Sequence, residues 1–190
     1  MHGRFPPNLP HHCLHPTPEF WQQPHRNTQE QHGLRREELC LLKVRDIHLR
    51  RGVAHLRIHG KGGKLRYLPL HPGTPQLLND YLEAAGHLAD PASPLFRPVR
   101  DQVRGILANQ AITPDGVYKC VKEYAEQVNL GVEGFGAHSL RATAPTNALD
   151  HEADIAKVQE WLGHANIATT RIYDRRKTRP EDSPTFKVAY

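Results

Sequence analysis

The sequence predicts a mainly α fold with one small antiparallel β-sheet, an α+β domain. Three observations predict it. Apolar residues recur at helical spacing behind two Thr-Pro pairs, Thr74-Pro75 and Thr113-Pro114. A single pair of strand-like runs flanks the glycine-rich stretch Gly60-Lys61-Gly62-Gly63. The chain has 190 residues, 38% of them hydrophobic, enough for one core of ordinary size and hence one domain.

In chain order, residues 1–32 carry Pro6, Pro7, Pro10, Pro16, Pro18 and Pro24 among polar and His-rich filler. They show no helical or strand periodicity and predict an irregular arm. Order begins near Gly33, with a short helix over Leu34 to Leu42 that buries Leu34, Leu39, Leu41 and Leu42. Val53 to Ile58 and Leu65 to Leu70 are strands, joined by glycines that offer the positive φ angles of a hairpin turn. Lys61 therefore belongs to a hairpin tip. A helix from Thr74 presents Leu77, Leu78, Tyr81, Leu82 and Ala85 on one stripe and ends at Gly86. The second Thr-Pro pair opens a helix with Val117, Val121, Tyr124, Ala125 and Val128 on one side. Leu140 to Leu149 and Ile155 to Leu162 are further helices, the latter closed by Gly163. Asn166 can cap a last helix through Ile172 and Tyr173. Residues 175–190 are a basic tail interrupted by Pro180 and Pro184, with Phe186, Val188 and Tyr190 as its apolar anchors unless the terminus frays.

Lys and Arg number 25 against 20 Asp and Glu, a net charge of +5. That balance suits a polyanionic partner and equally suits plain solubility. Cys13, Cys40 and Cys120 form neither a disulfide framework nor a paired-cysteine metal knuckle, which fits a reducing cytoplasm. His11, His12, Cys13 and His15 are crowded but lack a scaffold, so adventitious metal binding is the ordinary expectation for them. No run is apolar enough to cross a bilayer or to serve as a secretory signal, which predicts an intracellular protein without membrane contact.

Four motifs stand in order along the chain. The first is Gly33-Leu34-Arg35-Arg36-Glu37-Glu38-Leu39, where Arg35 and Glu38, three apart, could be no more than a solvated ion pair worth a few tenths of a kcal/mol. The second is His138-Ser139-Leu140-Arg141, whose spacing puts both end residues on one helix face. Leu162-Gly163-His164 and Thr169-Thr170-Arg171-Ile172-Tyr173 complete the set. Each alone has a bland reading: a structural pair, a helix terminator, a half-buried aromatic. Together, and with Gly60-Lys61-Gly62-Gly63-Lys64-Leu65-Arg66 between the first two, they resemble the catalytic domain of the tyrosine recombinases of the phage-integrase family. The resemblance covers residues 33–174.

It implies a site-specific DNA recombinase that cuts and rejoins strands through a 3′-phosphotyrosyl intermediate, acting on double-stranded DNA as a homo-oligomer. The catalytic residues it implies are Arg35, Lys61, His138, Arg141, His164 and Tyr173. Tyr173 would attack the phosphorus; Arg35, Arg141 and His164 would hold the phosphate and its transition-state charge. Lys61, with Lys64 as the alternative, would protonate the leaving 5′ oxygen, and His138 would assist proton transfer at Tyr173. An unperturbed tyrosine has a pKa of roughly 10, so attack near neutral pH needs such help. Arginine suits the phosphate because its planar fork donates two charge-assisted hydrogen bonds and stays protonated. Glu38 would orient the first arginine or its helix. No metal or other cofactor is required, because the basic side chains supply the positive charge that metal ions provide in many nucleases.

Three departures qualify the resemblance. The N-terminal helical domain usual in the family is not visible, and the segment Phe20 to His32 is too polar and proline-broken to be its hydrophobic helix before the first arginine. The start of the chain is therefore expected to be truncated or substituted, with less apolar surface to bury and weak or no activity alone. Pro145 falls four residues after Arg141 inside an expected helix, at a cost of about 3 kcal/mol unless the helix bends, and predicts a bend that disturbs the aim of Arg141. The competing readings are a catalytically weak or inactive DNA-binding relative and, more remotely, a relaxing topoisomerase of the same chemistry.

Overall fold

The computed structural model describes residues 18–101, 104–130, 136–176 and 185. Along them run helices α1 (Pro18–His32), α2 (Arg36–Leu41), α3 (Thr74–Ala84), α4 (Pro114–Gln127), α5 (Ala137–Asp150), α6 (Ile155–Leu162) and α7 (Ala168–Arg171). Strands β1 (Ile47–Arg50), β2 (Val53–His59) and β3 (Leu65–Pro69) form one antiparallel sheet in that order, and β4 (Val99–Asp101) pairs with β5 (Ile106–Leu107) in a second. The fold class is the predicted one, with two small sheets and an added strand β1. The His11 to His15 cluster and the tail anchors Phe186, Val188 and Tyr190 lie outside the described residues.

Most elements with clear local signals form where expected, but the first short helix spans only Arg36–Leu41, and Leu41, expected inside, is exposed while Leu34, Leu39 and Leu42 are buried. Thr113 caps α4 by accepting from the Gly116 N–H at 3.0 Å, and Asp154 caps α6 through the N–H groups of Ala156 and Lys157. Gly163 ends α6 in the left-handed region (φ 66°, ψ 40°), where a side chain would be strained. In the main sheet, Leu56, Ile58 and Leu68 alternate inward and are buried, while Leu65 and Tyr67 face out. Leu78, Tyr81 and Leu82 of α3 meet that layer together with Phe96 and Val117 to make the main core.

Residues 18–32, expected to be irregular, instead form α1. Its buried positions are Trp21, Pro24, His25, Thr28, Gln29 and His32, the i, i+3, i+4, i+7 repeat of a core-facing helix. The stripe is mostly polar, so hydropathy does not reveal it. Thr28 Oγ1 donates to the Pro24 carbonyl at 2.7 Å, and the His32 ring is held at Thr28 O (3.0 Å) and by the His71 N–H (2.9 Å). Trp21 stands edge-on to Tyr81 with centroids 5.9 Å apart. Pro24 forfeits a single hydrogen bond of the helical ladder, and these tertiary contacts outweigh that loss. The helix occupies the place before Arg35 and packs against α3, α4 and α5.

Helix α5 likewise continues through Pro145, which is buried. It begins at Ala137, early enough to include His138 in its first turn. Arg141 is not deflected from the site: its guanidinium reaches Gly33, Leu162 and His164.

Candidate active site

Arg35 is the extended residue (φ −70°, ψ 149°) immediately before α2. One turn on, Glu38 folds back, its Oε2 accepting from the Arg35 backbone N–H and its Oε1 from the Arg35 guanidinium, both at 2.9 Å. This reciprocal contact fixes both the chain entering α2 and the arginine side chain. Glu38 is buried, and a second guanidinium, that of Arg66 on β3, meets both of its oxygens at 2.9 Å. Arg141 Nη1 stands 4.0 Å from Glu38 Oε2. Three guanidinium charges around one carboxylate leave a net excess of two positive charges at this point (three less one). Burial alone would raise the Glu38 carboxyl, but hydrogen bonds from Arg66 and then Arg35 outweigh it and hold the acid below its ordinary range.

Arg141 is almost fully buried and is held by carbonyls that end two different helices. Nη1 donates to Gly33 O after α1, and Nη2 donates to Leu162 O at the end of α6 at 3.2 Å. Burial, then repulsion from Arg35, lowers its pKa to about 10, which leaves it protonated at neutral pH. Its Nη2 also lies 3.2 Å from His164 Nε2. A guanidinium can only donate, so Nε2 accepts there and the imidazole proton sits on Nδ1, facing Thr170 Oγ1 at 3.0 Å. Burial first, then the charges of Arg141, Arg35 and Arg66, push the His164 pKa down to about 4, so the ring is neutral.

Tyr173 follows α7 in a turn rather than within the helix, its N–H bonded to Thr170 O at 3.0 Å. Its half-buried ring packs on the Leu149, Val158 and Leu162 cluster and lies nearly parallel to His164, with centroids 6.2 Å apart and 20° between planes. Exposed His138 lines a cleft of about 180 Å³ with Arg35, Arg141, Gln29 and Leu34. Lys61 opens the 3-10 turn Lys61–Gly63 between β2 and β3, and Lys64, exposed, closes it with its carbonyl accepting from Gly60 at 2.7 Å. The side chain of Lys61 lies outside the described residues.

Of the six residues expected from sequence, Arg35, His138 and Arg141 meet at one cleft, His164 joins through Arg141, and Tyr173 joins through His164. Sequence reasoning missed two contributors. Thr170, fully buried, accepts the His164 Nδ1 proton. Arg66 clasps Glu38, and a signal for it existed: on β3 it shares the inward face with Leu68 and Leu70, where an arginine demands a buried anion. A cleft lined by Arg35 and Arg141, the latter in contact with a neutral histidine, is suited to binding a phosphodiester anion. Among the described residues no group of three or more His, Cys, Asp or Glu side chains is placed to hold a metal ion. No helix among them is long and apolar enough to cross a membrane.

Residues 27–179 match the model of the phage integrase family. The chain is 34% identical over 143 residues to tyrosine recombinase XerA of Pyrococcus furiosus, covering 75% of this chain and 46% of that protein. It is 37% identical over 145 residues to tyrosine recombinase XerD of Listeria innocua, covering 74% and 45%. The chain thus spans about half the length of the curated relatives it matches. Among solved structures it is similar to the XerH site-specific recombinase bound to palindromic difH substrate in a post-cleavage complex. That match has a TM-score of 0.64 and 29% identity, covering 81% of this chain and 42% of that one. The fold is also that of the XerA recombinase crystal structure, at TM-score 0.65 and 23% identity over 91% of this chain and 63% of that one.

Proposed function

The chain belongs to the phage integrase family, and from that premise we propose that it cleaves and rejoins double-stranded DNA at specific sites through a covalent bond to Tyr173. The observation that carries the proposal is the single array of Arg35, His138 and Arg141 around one cleft, with His164 and Tyr173 stacked beside it.

In this reading the scissile phosphate enters the cleft and takes the two surplus positive charges around Glu38 as its counterions. Arg35, the most exposed of the three arginines at 37%, offers its guanidinium from the rim of the cleft, and Arg141 offers its own from the interior. The Tyr173 oxygen attacks phosphorus, a 3′-phosphotyrosyl bond forms, and the 5′ oxygen departs with a proton from Lys61 or Lys64. Attack by that hydroxyl on the phosphotyrosine reverses the step, so no external energy source is needed. His138 moves the tyrosine proton. His164, neutral while the site is empty, gains affinity for a proton when an anion offsets the neighbouring guanidiniums, and so becomes a donor to the phosphate as the phosphate arrives. The basic groups do the electrostatic work, which requires no metal or other cofactor. Recombination of two sites calls for several copies of the chain on DNA, and such work suits a cytoplasmic location.

The test is incubation of the protein and its Tyr173→Phe variant with duplexes nicked beside candidate sites, followed by denaturing electrophoresis. A denaturant-resistant protein–DNA complex with the wild type alone is expected. DNA binding without such a complex would overturn cleavage and leave a binding module.

A further inference from the structure

Arg66 is tied to three of the segments that carry the site. Its two terminal nitrogens bind the two oxygens of Glu38, which in turn fixes Arg35. Its guanidinium lies under Gly163, where a Cβ would stand 3.1 Å from Nη1 and 3.4 Å from Cζ, so the turn that delivers His164 rests on it. At the base of the Lys61 hairpin, a Cβ on Gly60 would stand 3.5 Å from the same Nη1. The Arg66 side chain is only 16% exposed, and its Nε finds no acceptor among the described residues, so its hydrogen bonds go to Glu38.

A carboxylate has about four acceptor positions. In Glu38 all four are occupied, two by Arg35 and two by Arg66. Arg141, 4.0 Å away, is close enough to be drawn in but meets a carboxylate that is already saturated.

We propose that Arg66 is a positioning residue: by filling half of the Glu38 carboxylate it keeps that carboxylate from capturing Arg141, whose guanidinium then keeps its aim at the phosphate site. This rests on the reading of the cleft as a phosphate site. Removing Arg66 leaves a buried acid with two vacant acceptor positions beside the Arg141 guanidinium. Charge-assisted pairing then pulls Arg141 onto the acid and away from the ligand. Lysine in its place lacks the planar fork that gives each oxygen its own parallel hydrogen bond.

Two measurements test the proposal. In single-turnover formation of the covalent complex, Arg66→Met is expected to lose about 30-fold in rate with DNA affinity nearly kept. Adding Glu38→Gln to it removes the competing charge and is expected to recover about tenfold, which a merely destabilised fold would not do. A rate for Arg66→Met within about threefold of wild type, or a double variant as slow as the single, would overturn the proposal. The second measurement is independent of cleavage: a crystal structure of DNA-free Arg66→Met is expected to show Arg141 closed onto Glu38 at hydrogen-bond distance. Arg141 left in its present position would refute it. If the wild type forms no covalent complex, the proposed function fails, and that structure still decides the role of Arg66.

Discussion

Gly33 joins α1 to the first arginine, and its replacement by alanine probes how closely helix packing and the site are coupled. Its φ is +58°, and its carbonyl accepts from Arg141. A Cβ at this position would stand 2.8 Å from Leu162 Cδ2, 3.5 Å from Ala144 Cβ and 3.7 Å from the Arg141 carbonyl. Leu162 is fully buried and has no solvent to retreat into. Holding an alanine in the left-handed region costs about 1–2 kcal/mol, and overpacking a filled core costs about 1–3 kcal/mol. The sum, about 2–5 kcal/mol, lowers the melting temperature of a chain this size by roughly 4–20 °C. Gly52 is the natural control, with φ +78° and nothing within 4 Å of a Cβ, so Gly52→Ala carries the backbone cost alone. Circular dichroism melts of both variants separate the two contributions. A Gly33→Ala protein as stable as Gly52→Ala would refute the claim that the junction is close-packed.

Stability should also fall with acid. His25 and His32 on α1 are buried with pKa values pushed down to about 4, for both chiefly by burial, then by Arg26 at His25 and by His71 at His32. The unfolded chain binds their protons more readily, so stability is full above a pH of about 6.5 and is lost as pH falls toward 4, by about 3 kcal/mol per histidine at the limit. A second proton on His32 would also face the His71 N–H that its Nε2 now accepts. Melting temperatures unchanged between neutral pH and about pH 4.5 would rule this out. At the site, Thr170→Val keeps the shape of a fully buried residue but removes the acceptor of the His164 Nδ1 proton. Covalent-complex formation is expected to slow by about tenfold, the equivalent of one lost hydrogen bond of about 1.4 kcal/mol, with DNA binding unchanged. Cleavage at the wild-type rate would remove Thr170 from the mechanism.

What the sequence alone determined was the local grammar and the order of the reactive residues. Thr113-Pro114, the apolar run ending at Gly163, and the paired glycines after Lys61 each specify their element through bonds within a few residues, so α4, α6 and the β2–β3 hairpin were legible. The motifs from Arg35 to Tyr173 were legible for the same reason, as fixed spacings along the chain. Tertiary structure decided what depends on partners far away in sequence. Helix α1 was hidden because its inward stripe is His, Thr and Gln, which look like surface until His71 and Tyr81 are beside them. The turn that holds Tyr173 against His164, the carbonyls that hold Arg141, and the saturation of Glu38 by an arginine 28 residues on appear only once separate elements pack. A buried charge is tolerated only where its partners converge, and convergence is a property of the packed fold rather than of any one segment.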